Sequence, residues 1–261
     1  MRRAQLFTAF SLALLVAMTV LTASSETEPH RATTRREVPA WNLEARMAEG
    51  RREREAQARE ADAKRQREVA IEMARIERSD RLAGSMAAFG SKRIPGLKGS
   101  GLRRYQSHLR SLAPLFTRVA ESRERAFISP ETDAYLLAAI AYHESSWAQT
   151  VITGQRRGLR GEVGMMQIMP GGSCAFGSDS DGRRLDPLDA VDNLRLAVLC
   201  LDRIREAHAG RRSDVWGWLG TYASGQIGGG RSAVEGPRGF RAIFQEMIDH
   251  GQRLGNAATG R

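Results

Sequence analysis

Residues 129–147 read SPETDAYLLAAIAYHESSW, and the fold class turns on this stretch. Ser129 and Pro130 supply a helix cap and a first helical position, with Glu131 and Asp133 in the first turn, where the helix dipole favours acids. From Tyr135 to Ala141 every position is apolar. A helix apolar nearly all round must be enclosed by other elements, so the stretch predicts the buried central helix of an all-α domain.

Working outward, Asp186 and Pro187 open a second predicted helix, in which Leu188, Val191, Leu194, Val198, Leu201 and Ile204 keep three-to-four spacing. Ser213 is the expected cap of a third, carrying Val215, Trp216 and Leu219. Phe240, Ile243, Phe244, Met247 and Ile248 mark a last one. Nothing after Leu102 alternates with strand period, so residues 102–261 read as one compact helical domain. The run GSKRIPGLKGSG at 90–101 has the Gly, Pro and Ser content of a linker and is expected to mark the domain boundary. Residues 25–89 before it form a charged helical spacer or a self-associating coiled coil. Glu55 and Arg59 exemplify its opposite charges at helical spacing, and Val69, Met73, Ile76 and Met86 give only a thin apolar stripe. If continuous from Asn42 to Phe89, this helix is roughly 70 Å long at about 1.5 Å per residue.

The chain of 261 residues carries a net charge of +10, which invites a nucleic-acid reading. The first 111 residues hold 22 basic and 13 acidic side chains, whereas the rest is close to neutral. Lys64, Lys92 and Lys98 are the only lysines, an Arg bias that a GC-rich genome produces without any polyanion partner. Arg2 and Arg3, an apolar stretch from Leu6 to Leu21 and the small residues Thr22 to Ser25 predict a signal peptide over residues 1–24, cleaved or retained as a signal anchor. That places the protein in the periplasm or otherwise outside the cytoplasm, with membrane contact only if the signal stays attached, and it argues against nucleic acid. Cys174 and Cys200, the only cysteines, are candidates for a disulfide in such a compartment, with two free thiols as the alternative. Neither a cofactor motif nor a metal-ligand spacing is present. The His143–Glu144 pair lacks a second histidine four positions after the first, and Asp179–Ser180–Asp181–Gly182 lacks the closing Glu of a calcium loop.

Glu144 is the only acid near the C-terminal end of the predicted central helix. Apolar surroundings and the negative end of the helix dipole both favour its protonated form. A carboxyl that holds a proton is what glycosidic cleavage requires at the leaving oxygen. Two further segments stand out. In GEVGMMQIMP (161–170) a lone Gln167 sits among methionines fenced by Gly and Pro. In LGTYASG (219–225) Tyr222 sits among small residues. Ordinary core packing and a helix-to-loop transition account for each of these two segments when taken singly.

In this order the blocks HESSW, GMMQIMP, DPLDAVDNL and TYASG resemble the soluble lytic transglycosylase family, related to goose-type lysozymes, over residues 112 to about 255. The resemblance implies a lysozyme-like helical fold, with Glu144 as the sole catalytic acid and base. It also implies a substrate-binding set of Ser145, Thr153, Met166, Gln167 and Tyr222. Of these, Gln167 and Met166 would line the glycan cleft, and Tyr222 would hydrogen-bond the Glu144 carboxyl or the substrate. Three departures stand beside the likeness. Thr153 replaces the family's Ser after the catalytic Glu, the segment from Ile152 to Val163 is longer than usual, and Ser224 replaces the Asn of A-Y-N-A-G.

The implied activity is cleavage of the β-1,4 bond between N-acetylmuramic acid and N-acetylglucosamine in peptidoglycan, with formation of 1,6-anhydromuramoyl ends. A muramidase that hydrolyses the same bond and a non-catalytic cell-wall binding or assembly factor are the alternatives. Peptidoglycan strands are the expected partner, with envelope or secretion-machinery proteins reached through the N-terminal helix.

Overall fold

A computed structural model describes residues 40–259 except Pro95, Arg212 and Gly228, so the predicted signal at 1–24 lies outside the described residues. Helix α1 spans Ala40–Ser91, α2 Gly99–Glu121, α3 Pro130–Ser145, α4 Gln149–Ile152, α5 Ala190–Ala207, α6 Val215–Ser224, α7 Arg231–Glu235 and α8 Phe240–Thr259. A single 3-10 turn, Ser173–Ala175, lies between α4 and α5. Among the described residues the only extended pairings are two isolated antiparallel bridges, Val163 with Ile168 and Ser178 with Arg184, so the chain is all-α as expected. No described helix is long and apolar enough to cross a membrane.

The chain divides into a unit up to Ala61 and a second unit from Asp62 to Arg261. In the first, α1 is a charged helix with Leu43 and Met47 exposed. The second is built around α3. Ser129 caps it as predicted, its side chain accepting from the Thr132 N–H, and Leu136, Leu137 and Ile140 are completely buried. α3 packs between α2 and α8, while α5, α6, α7 and α8 follow one another around it. Leu109 and Phe116 of α2, Leu194 of α5, Leu219 of α6 and Met247 of α8 close the core. Burying each such side chain is worth roughly 1.5–3 kcal/mol before chain entropy is subtracted.

The boundary expected at 90–101 falls elsewhere. Leu82, Ala83, Met86 and Phe89 at the end of α1 are buried in the same core as α3. The first two residues of the Gly/Pro/Ser run end α1 and the last three begin α2, so the run joins two helices that share one core, and Met86 belongs to that core and not to an exposed stripe. Val69, Met73 and Ile76 do stay exposed. Two caps also shift by a few residues. Asp189, and not Asp186, caps α5 by accepting from the Val191 and Asp192 N–H groups, and Asp214, and not Ser213, caps α6. A carboxylate or hydroxyl serves equally well as a cap acceptor, so residue type alone does not select among neighbours.

Asp133 has no exposed surface. It accepts from the backbone N–H groups of Phe127 at 2.7 Å and Ile128 at 2.9 Å and from Arg123 at 3.1 Å, which fixes the loop that feeds α3. Cys174 and Cys200 are joined in a disulfide that closes a 26-residue separation and ties the 3-10 turn to α5. Replacing both by Ser is expected to cost about 3 kcal/mol through the freed loop entropy, read as a lower urea midpoint. An unchanged midpoint would mean that the bridge does not constrain the unfolded chain.

Candidate active site

The last turn of α3 carries Glu144, and the chain then reverses sharply. Ser146 and Trp147 follow with φ of 54° and 53°, a left-handed conformation that costs non-glycine residues free energy and persists only where neighbours enforce it. The enforcement is dense. The Ser146 N–H donates to the Tyr142 carbonyl at 2.7 Å, and the Trp147 indole N–H donates to the Ala138 carbonyl at 3.0 Å. The His108 imidazole is hydrogen-bonded to the Trp147 carbonyl at 3.0 Å. The fully buried Trp147 ring lies edge-on to Tyr142 at 4.8 Å and to Phe89 of α1 at 6.0 Å. The end of α1 thus helps to hold the turn that presents Glu144.

Glu144 faces a cleft of about 860 Å³ that Gln167, Tyr222, Arg156, Arg157 and Glu162 also line. Its side chain is 20% exposed, more open than the desolvated acid the sequence suggests, and the His143 Nδ1 lies 3.3 Å from its Oε1. A larger groove of about 1470 Å³ lies between α1, α3 and α8. Apolar residues such as Met73, Ile76 and Phe244 account for much of its lining, and it contains none of Glu144, Gln167 or Tyr222.

The opposite part of the cleft is a tight turn. Val163 and Ile168 exchange backbone hydrogen bonds at 2.9 and 3.0 Å, enclosing Gly164 to Gln167. Gly164 has a φ of +75°, and a Cβ there would lie 2.3 Å from the Asn193 Nδ2, so both backbone conformation and space require glycine. Asn193, completely buried on α5, clamps the turn. Its Oδ1 accepts from the Met166 N–H at 2.8 Å, and its Nδ2 donates to the carbonyls of Val163 at 3.0 Å and Pro187 at 2.8 Å. Gln167 adopts a φ of 48° and donates through Nε2 to the Gly164 carbonyl at 2.9 Å.

Tyr222 of α6, for which the resemblance implies a bond to the Glu144 carboxyl or to the substrate, donates its hydroxyl to the Met166 carbonyl at 2.8 Å. Burial, and secondarily the negative charge of Glu144, push its phenol well above the ordinary range, so it stays a protonated donor.

The structure therefore brings Glu144, Gln167 and Tyr222 together. Three other expected substrate contacts lie elsewhere. The Ser145 hydroxyl is buried and donates to the Ala141 carbonyl at 2.7 Å, finishing the helix. The Met166 side chain is completely buried, and only its backbone serves the site. Thr153 is turned to its own helix, donating to the Gln149 carbonyl at 2.9 Å, and does not line the cleft. Ser224 does line it, and its hydroxyl donates to the Gly220 carbonyl at 2.8 Å as α6 ends.

Two residues given no role in the sequence reading matter here. Asn193 falls within the DPLDAVDNL block but is assigned no role by it. Glu162 is a second carboxylate in the cleft, yet both of its oxygens are engaged by Arg160, through the backbone N–H and through Nε, each at 2.9 Å. Hydrogen bonds from its own backbone and from Arg160 outweigh desolvation and hold it below the usual carboxylate range, which makes it a weak base.

Residues 124–233 match the family model described as the transglycosylase SLT domain. No curated protein and no solved structure matches the chain.

Proposed function

We propose that the chain, which carries a transglycosylase SLT domain at residues 124–233, is a lytic transglycosylase that cuts the β-1,4 bond between N-acetylmuramic acid and N-acetylglucosamine in peptidoglycan. The observation that carries the proposal is the cleft itself, which holds between the Gln167 turn and Tyr222 one carboxyl, Glu144, that has no Arg or Lys partner among the described residues. In the first step Glu144 gives its proton to the glycosidic oxygen, and the N-acetylglucosamine hydroxyl leaves as the C1–O bond of the muramoyl residue breaks. The neighbouring N-acetyl group stabilises the charge that develops at C1. In the second step the Glu144 carboxylate takes the proton of the muramoyl 6-hydroxyl, whose oxygen closes on C1. Glu144 ends as it began, and no water is consumed. The protonated Tyr222 hydroxyl fixes the Met166 carbonyl, and through it the wall of the cleft facing the acid. The likeness to the family and the disulfide both support action outside the cytoplasm, in the periplasm, where disulfides persist. On this reading the charged N-terminal part of α1 is available for envelope or secretion-machinery partners.

Glu162 favours a second reading, because hydrolysis by the same fold needs a carboxylate to activate water. Both oxygens being occupied by Arg160 argues against that role. The mass of the products separates the readings. Digestion of purified sacculi is expected to release muropeptides one water lighter than hydrolytic fragments. Fragments at the full hydrolytic mass would make the protein a muramidase, and no release at all would make it a binding or assembly factor.

A further inference from the structure

The loop between α4 and Val163 contains three arginines along the cleft, and they are not equivalent. Arg160 is neutralised by Glu162 at 2.9 Å. Arg156 and Arg157 line the same cleft, are exposed, and form no ion pair among the described residues. The loop that carries them is built rather than loose. The Arg156 N–H donates to the Thr150 carbonyl at 2.7 Å, and the Gly158 N–H donates to the Glu162 carbonyl at 2.9 Å. Gly158 lies so close to the cleft wall that a Cβ would meet the Gln167 Oε1 at 2.4 Å and the Glu162 Oε2 at 2.5 Å. Two uncompensated guanidiniums are thereby held at the lip of the cleft into which Glu144 faces.

We infer that Arg156 and Arg157 form a subsite for carboxylates on the peptide stems of the bound glycan strand. The enzyme would then prefer strands with free stem carboxylates over strands in which these are amidated. The inference rests on the peptidoglycan reading given above. A planar guanidinium matches a carboxylate through two parallel N–H donors, whereas a neutral carboxamide offers one acceptor and a competing donor.

The test measures binding and does not depend on turnover. Glu144→Gln protein is titrated with soluble peptidoglycan strands, either untreated or with their carboxylates converted to amides by carbodiimide and ammonia. Each exposed guanidinium–carboxylate pair changes affinity by up to about fivefold, so untreated strands are expected to bind about tenfold more tightly, with the preference fading as salt rises. Adding Arg156→Gln and Arg157→Gln is expected to remove the preference, and adding Arg156→Lys and Arg157→Lys to keep part of it. Arg103→Gln with Arg104→Gln, exposed on α2, changes net charge equally and is expected to leave the preference intact. Equal binding of the two strand preparations, or a preference that survives loss of Arg156 and Arg157, would overturn the inference. Failure of the protein with Glu144 intact to cut strands that it binds would instead refute the proposed activity.

Discussion

Glu144→Gln is expected to lower the rate of strand cleavage by about a thousandfold or more while leaving the fold intact. General acid or base participation by one group is typically worth about 10²–10⁴ in rate. Here the same carboxyl is asked to supply both, first to the leaving oxygen and then from the 6-hydroxyl. An amide keeps the size and shape of the side chain and offers an N–H toward the cleft, but it cannot deliver a proton and become a base. The side chain is partly exposed, and its hydrogen-bond partner among the described residues is His143 at 3.3 Å, so the cost to stability is expected to stay within about 0.5 kcal/mol. Cleavage of sacculi and thermal melting, measured on the same preparation, check the two halves of the prediction. Full activity in the variant would transfer the chemistry to another group, with Glu162 the other carboxylate that lines the cleft.

The central helix was legible because its signals agree. Ser129 and Pro130 mark its start, seven consecutive apolar positions demand enclosure, and a single acid stands near its end. Gln167 and Tyr222 were legible because each is an isolated polar group in a run of apolar or small residues, and the fold has to put such groups somewhere useful or satisfied. The rest was hidden for identifiable reasons. Ser145 adjoins the acid and reads as a substrate contact, but a helix-ending hydroxyl can equally donate to the carbonyl one turn back, and here it does. The run at 90–101 has the composition of a linker, and composition does not distinguish a tether between domains from a connection between two helices that share a core. Phe89 just before it was the available clue, since an aromatic ring at the end of a charged helix needs a burial site. The Arg160 partnership of Glu162 depends on how an irregular loop closes, which no periodicity records.

Asn193→Ala is expected to destabilise the domain by about 3–5 kcal/mol and to remove most activity in the fraction that remains folded. Asn193 satisfies three backbone groups at once: the Met166 N–H and the carbonyls of Val163 and Pro187. Alanine leaves the Met166 N–H and the Pro187 carbonyl without this partner, while the Val163 carbonyl keeps the Ile168 N–H, and each unmet group costs about 1–3 kcal/mol. The site suffers as well, because the clamped turn contains Gln167 and the Met166 carbonyl that receives the Tyr222 hydroxyl. A shift there moves two walls of the cleft relative to Glu144. Asn193→Asp separates the contributions: it retains an acceptor for the Met166 N–H but turns the donor end into a carboxylate oxygen facing two carbonyls. If the donor end matters as argued, Asp is expected to be no better than Ala at neutral pH, and to recover part of the loss at acid pH, where a protonated carboxyl can donate once again to one carbonyl. Urea denaturation of both variants, with the Cys174–Cys200 bridge intact, gives the stability, and muropeptide release per folded molecule gives the effect on the site. A loss below about 1 kcal/mol for the Ala variant would show that the turn is held by its own Val163–Ile168 pairing, with Asn193 an onlooker.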